Sequence, residues 1–139
     1  MEFTCYDTLP AEAHAIRDEV FVQEQGFQVE FDDRDAHCYH ALVTDGGKAL
    51  GTCRFFRDDK EPEVYILGRI CVRKAARGSG AGSELVRGAE HAVKEMGGKE
   101  IRLHAQVRAQ HFYDLLGYQA YGPIEDEEGV PHQWMWKGL

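Results

Sequence analysis

Apolar residues recur along this chain in two rhythms, and the switches between them mark its elements. Residues 2–6 (EFTCY) have strand character, and Pro10 then suits the first turn of a helix, with Glu12 near its positive end. Ala13, Ile16, Val20 and Phe21 follow at helical spacing, and the helix is expected to fade near Gly26. Residues 28–35 (QVEFDDRD) are acidic and aperiodic, which reads as a loop. HCYHALVTD (37–45) and KALGTCRFF (48–56) flank Gly46-Gly47, the pattern of a hairpin closed by a tight turn. VYILGRICV (64–72) is apolar enough for a central strand.

The second half continues the alternation. Leu85, Val86, Ala89, Val93 and Met96 mark a helix stopped by Gly97-Gly98. IRLHAQ (101–106) reads as a strand, and Ala109, Phe112, Tyr113 and Leu116 give one face of a short helix. YQAYG and HQWMWK read as two last strands, with the acidic stretch EDEEGVP as the turn between them. The order β-α-β-β-β-α-β-α-β-β predicts a mixed sheet with helices on its faces.

Composition narrows the function classes. The 139 residues fit a single domain, and 43% hydrophobic with 29% charged residues is the balance of a globular protein. A net charge of −8 speaks against a nucleic-acid binder, which needs a basic face. Cys5, Cys38, Cys53 and Cys71 form no C-x-x-C pair, so neither a zinc site nor a redox motif is expected, and no metal. Their apolar surroundings suit reduced core thiols. The opening residues lack a signal-peptide pattern, and no apolar run approaches the roughly 20 residues of a membrane helix. A cytoplasmic protein without membrane partners is expected.

One short stretch carries specific chemistry. RGSGAG (77–82) joins the central strand to the following helix. A Walker A loop would need Lys and Ser or Thr after its last glycine, and here Ser83 and Glu84 follow. The dinucleotide fingerprint would need a glycine where Ser83 stands, and a first-strand context that is missing. What remains is R-x-x-G-x-G. Missing Cβ atoms at Gly78, Gly80 and Gly82 let N–H groups converge on an anion at a helix N-terminus. Arg69, Arg73, Lys74 and Arg77 make a basic island with no acid between them.

The strand ILGRICV, the loop RKAARGSGAG and the later AQVRAQHFYDLLGY resemble the core of the GCN5-related N-acetyltransferases (GNAT). VFVQEQ (20–25), GRICV (68–72), LHAQ (103–106) and GVPH (129–132) resemble the ElaA/YjcF-like branch, and the likeness spans nearly the whole chain. The resemblance implies the GNAT fold: an α/β (α+β) domain over 1–139 with a mixed, mostly antiparallel sheet of about six to seven strands and helices on both faces. It also implies an acetyl-CoA-dependent N-acetyltransferase acting on a primary amine by direct attack in a ternary complex. The segment Arg77, Gly78, Ser79, Gly80, Ala81, Gly82 and Ser83 would grip the pyrophosphate of acetyl-CoA. Ile70, Cys71 and Val72 would pair with pantetheine along a splayed strand edge, with an amide of Cys71 or Val72 on the thioester carbonyl. Gln106 stands where many relatives place a CoA-contacting asparagine.

Three chemical demands remain: deprotonating the amine, stabilising the carbonyl oxygen and protonating the thiolate. Tyr113, in AxxFYxxxGY, is the expected acid by the same resemblance, a phenol near pKa ~10 being matched to an alkyl thiolate. Glu24 and His132 are the expected bases, with His40 and a water chain as further candidates. An acetyl-Cys71 intermediate would want an adjacent base, and none lies beside it in sequence. Glu24, Glu30, Asp32, Asp33 and Asp35 offer an acidic rim for a cationic amine, or a solvated loop, while EDEE (125–128) reads as a plain hairpin turn. A polyamine, an amino sugar, an aminoglycoside and a protein lysine stay open as acceptors, a small molecule being favoured. A homodimer through exposed sheet edges stays open too. The competing class is a non-catalytic acyl-CoA binder or sensor.

Overall fold

The computed structural model describes residues 1–139. Strand β1 (Glu2–Tyr6) leads into helix α1 (Ala11–Arg17), which runs on without a break as a π-helical turn over Asp18–Glu24. After a 3₁₀ turn at Asp33–Ala36 come β2 (Tyr39–Asp45), β3 (Lys48–Arg57) and β4 (Val64–Val72). Helix α2 (Ala81–Glu95), β5 (Glu100–Gln106), helix α3 (Gln110–Leu115), β6 (Gln119–Glu127) and β7 (Val130–Gly138) complete the chain. The element order is the one the hydrophobic rhythm predicts. Gly46 and Gly47 both have positive φ (58° and 80°), the geometry of a two-residue hairpin turn.

The seven strands form one sheet in the order β1-β2-β3-β4-β5-β7-β6. Every neighbouring pair is antiparallel except β4 and β5, which α2 connects by a crossover. Both sheet faces are covered, each by its own apolar cluster. Leu85, Val86, Ala89 and Val93 of α2 pack on Val43, Phe55, Leu67 and Leu103. Ala13, Ile16, Val20 and Phe21 pack on Leu42 and Cys71 across the other face. The apolar stripe read at helical spacing in each segment is therefore the stripe that is buried.

Two irregularities position the site. First, β4 and β5 pair only over Val64↔Glu100, Tyr65↔Ile101 and Ile66↔Arg102, then diverge. Second, β3 residues Thr52 and Arg54 pair with Cys71 and Gly68, so β4 carries one extra residue between them. That is a β-bulge, and Arg69 within it sits at φ 50°, a left-handed conformation that costs a non-glycine residue about 1 kcal/mol or more. The bulge bends β4 away from its parallel neighbour and opens the sheet at its middle.

One element boundary differs from expectation. EDEE does not make the last hairpin turn: Glu125, Asp126 and Glu127 belong to β6, and the turn is Glu128-Gly129, both at positive φ. β6 is exposed along its whole length at the sheet edge, so it has no apolar alternation by which to be read.

Candidate active site

The divergence of β4 and β5 leaves a cleft of about 760 Å³ through the middle of the sheet. Ile70, Cys71, Val72, Arg77, Gln106, Tyr113, Glu24 and His132 all line it, so residues spread from position 24 to 132 converge on one space. Gly78 to Ser83 continue from Arg77 into the start of α2.

At this end the backbone offers unfilled donors. Gly78 and Gly80 take positive φ (83° and 92°), and open space surrounds both where a side chain would stand. Ser79 instead closes the turn locally, its hydroxyl donating to the Ala76 carbonyl and receiving the Ala81 N–H. The N–H groups of Gly82 and Ser83 reach no backbone acceptor, as first-turn amides of a helix do not. Oriented N–H groups on a helix N-terminus make an anion seat. Gly82 has a different job from the one its spacing suggests. A Cβ there would stand 3.2 Å from the Phe112 ring, so its missing side chain admits Phe112 rather than a ligand.

Arg77 and Glu24 meet. The guanidinium binds the carboxylate through two bonds of 2.6 and 2.7 Å, while its Nε donates to the Val72 carbonyl at 3.2 Å. The bonds from Arg77 hold the Glu24 carboxyl below its ordinary pKa, and the same pairing raises that of Arg77. A carboxylate so held has less proton affinity than a base working near neutrality needs. The π-helical turn is what brings Glu24 and Gln25 to the cleft, with Gln25 Oε1 accepting from Gln106 Nε2 at 2.9 Å.

Just past the end of β4, the Arg73 N–H donates to the Leu50 carbonyl of β3 at 2.8 Å. Peptide edges alternate along a strand, so Cys71 also faces β3 and Val72 faces the opening. The Arg77 bond to the Val72 carbonyl agrees. Of the Cys71 and Val72 amides, that of Val72 is the one turned to the opening. The Cys71 thiol is buried, which pushes its pKa far above the usual value and suits an inert thiol.

Tyr113 projects from α3 and is only 8% exposed, edge-on to Phe112 and Tyr118. Its hydroxyl has no hydrogen-bond partner among the side-chain and backbone contacts of the chain, yet the residue lines the cleft. Burial, ahead of the neighbouring Cys53 and Cys71, raises its pKa well above the phenol value of 10. The hydroxyl therefore stays protonated over the working range, a hydrogen-bond donor rather than a matched acid.

The opposite wall comes from β5, β6 and β7. His132 is 5% exposed and donates from Nδ1 to the Val130 carbonyl at 2.8 Å. Its Nε2 lies 3.6 Å from Glu127 Oε2, and Glu127 Oε1 accepts from His104 Nδ1 at 2.7 Å. His104 stacks on Trp134, with ring centroids 4.8 Å apart. Glu128, at the hairpin turn, accepts the N–H groups of Gln28 and Val29 at 3.0 and 3.4 Å. His104, Glu127 and Glu128 were not among the expected site residues. The signal available for Glu127 was a two-residue register: once the turn is placed at 128–129, Glu125 and Glu127 share a strand face.

Two expectations change. His40 is fully buried away from the cleft, its Nε2 at 2.9 Å from the Asp35 carbonyl, so it is a core residue. The acidic segment is neither a free rim nor a solvated loop. Arg17 binds Glu30 and Asp35 at 2.8 and 2.7 Å, Arg54 binds Asp32 and Asp35 at 2.6 and 2.9 Å, and Arg69 reaches Glu30 and Asp32. Three arginines cancel three carboxylates and fold the segment onto the sheet. Asp35, Cys38 and His40 hold ligand-type atoms within 4.8 Å of one another. Arginine N–H groups already occupy both Asp35 oxygens, a poor setting for a cation.

Comparison with known proteins agrees with this architecture. The family model described as acetyltransferase (GNAT) family matches residues 6–118. The uncharacterized N-acetyltransferase YjcF of Bacillus subtilis is 34% identical over 129 residues, covering 91% of this chain and 90% of its own. The crystal structure of Escherichia coli ElaA superposes with a TM-score of 0.85 at 25% identity, over 98% of both chains. An acyl-CoA N-acyltransferase from Pseudomonas aeruginosa gives the same TM-score and identity over the same coverage.

Proposed function

We propose that this chain, which belongs to the acetyltransferase (GNAT) family in its ElaA/YjcF-like branch, moves an acetyl group from acetyl-CoA to a primary amine by direct attack in a ternary complex. The observation that carries the reading is the split sheet: a cleft with an unpaired strand edge on one wall, an anion seat at its mouth and a free tyrosine hydroxyl within.

In this proposal the pyrophosphate rests on the backbone from Gly78 to Ser83, and Arg77 turns to it from Glu24. Gly78 and Gly80 supply the turn, Ser79 and Ala81 its closure, and Gly82 the packing beneath. Pantetheine follows β4 past Ile70, Cys71 and Val72 and on the far side meets Gln106. The amine nitrogen gives a proton to His132, then attacks the thioester carbonyl carbon. The Val72 N–H receives the developing oxyanion. As the carbon–sulfur bond breaks, the neutral Tyr113 hydroxyl donates a hydrogen bond to the departing thiolate, which ends as the thiol by taking the second proton that the acylated nitrogen releases. Glu24 acts as the counter-ion that holds Arg77 until the donor arrives, and its release places a carboxylate near the amine. Cys71 forms no bond.

Thiol release from acetyl-CoA with a panel of primary amines, paired with calorimetric titration of acetyl-CoA, tests this. Tyr113→Phe should keep acetyl-CoA affinity within about threefold and lower kcat by about 10²-fold, the low end for loss of one hydrogen-bond donor to a developing anion. Acetyl-CoA binding with no thiol release for any amine, and no effect of Tyr113→Phe, would establish a non-catalytic acyl-CoA sensor instead.

A further inference from the structure

With its ring neutral, His132 turns an acceptor toward the acceptor Glu127, with no donor between them. His132 Nδ1 donates to Val130, so the neutral ring carries its lone pair on Nε2. That lone pair faces Glu127 Oε2 across 3.6 Å, too far for a hydrogen bond and too close for either group to be indifferent to the other. The second carboxylate oxygen is held by His104 Nδ1 at 2.7 Å, which fixes the rotation of the carboxylate. Glu125 Oε1 lies 3.4 Å from the remaining His104 nitrogen, and Glu128 is spent on the Gln28 and Val29 amides. The arginines lining the cleft have other partners: Arg54 and Arg69 bind Asp32, Asp35 and Glu30, Arg77 binds Glu24, and Arg108 Nε donates to Gln106 Oε1. No cation of the chain serves Glu127 Oε2.

We infer that Glu127 Oε2 and His132 Nε2 together seat the ammonium group of the acceptor, and that the acceptor carries this ammonium on an apolar body. An alkylammonium has three N–H donors; it fills the gap between the two acceptors with one each and hands one proton to His132 Nε2, leaving the neutral amine. The same cleft is also lined by Phe27 and Val29 from the segment after α1, Phe56 of β3, Ile66 of β4 and Trp134 of β7, an apolar surface that suits an aryl or alkyl chain. His104 is a positioning residue: it touches Glu127 and not the amine. This assignment rests on the acyl-transfer reading for its meaning but not for its test.

The test is a titration of the protein alone with phenethylamine, followed by ¹⁵N signals of the histidine rings. Phenethylamine should shift the His132 and His104 resonances saturably, and the uncharged isostere 2-phenylethanol should bind at least tenfold more weakly. Glu127→Gln should weaken phenethylamine by tenfold or more, as expected for loss of a charged hydrogen bond worth about 1.5–3 kcal/mol. His104→Phe should do nearly the same, and His104→Asn, which keeps a donor near the Nδ1 position, should restore affinity to within about threefold. Should Glu127→Gln bind phenethylamine as the parent does, or the parent not respond, the seat is elsewhere. Acetyl-CoA titration on the same samples reports separately on the acyl-transfer reading, which stands or falls without Glu127.

Discussion

Cys71 and Tyr113 bring a thiol and a phenol to the same cleft, and burial acts on both in one direction, against ionisation. For the thiol this removes the nucleophile; for the phenol it preserves the donor. Burial also pushes Cys38 up to about 11 and raises Cys53 well above the ordinary thiol value; it raises Cys5 as well, but Cys5 alone of the four is exposed. Native protein treated with a thiol-specific disulfide reagent should therefore lose one thiol, at Cys5, and four after denaturation, as read by mass. Rapid native modification of Cys71 would contradict the inert assignment. At this scale RGSGAG was legible because backbone geometry is written in glycine spacing. Glu127 was not, because its partners His104 and His132 lie on other strands and an acid on an exposed edge strand looks like any surface acid. Gly82 shows the limit of the glycine rule: the missing Cβ leaves open space at Gly78 and Gly80 but admits a phenylalanine ring at Gly82.

Among the elements, the segment between α1 and β2 departs furthest from its sequence appearance. An aperiodic acidic run normally stays in water. Here Arg17, 1% exposed, sits at the end of α1 where it binds Glu30 and Asp35 and lies 4.7 Å from the Phe31 ring. The arginine looked like a helix-end charge, and nothing local marked it as buried; only the convergence of three elements does. Removing it would leave Asp35 to Arg54 and Glu30 to Arg69 alone, so Arg17→Ala should cost about 3 kcal/mol, the low end for breaking a buried ion pair, read as a lowered urea midpoint. An unchanged midpoint would mean that the network contributes nothing net. Strands and helices were otherwise legible, since their apolar stripes are the ones buried; β6 was misjudged at one end for want of any stripe.

For the whole molecule, the same network sets the response to acid. Burial raises Asp35, but the bonds from Arg17, the Asp32 N–H and Arg54 outweigh it and hold the carboxyl at about 2, below the ordinary aspartate value of 3.8. Arg54 likewise lowers Asp32. Groups with depressed folded pKa contribute stability above their unfolded value and lose it as pH falls through the folded one. Glu30 runs the other way, raised first by burial, so its ionisation costs stability as pH rises through the ordinary carboxylate range. The asymmetry favours the aspartates below pH 4: stability should fall between about pH 4 and 2, by about 2 kcal/mol from Asp35 alone at 1.36 kcal/mol per unit. Urea midpoints across that range check it, and an Asp35→Asn variant should show a flatter profile.

The links from Gln25 to Gln106 and from Gln28 and Val29 to Glu128 join the two halves of the divided sheet on the α1 side. What would be an open notch is thereby a loop of chain closed by its own side chains, topologically an eyelet. A molecule arriving from that side meets these three bonds before it meets the cleft, so a slender end passes between them more readily than a long body laid across them.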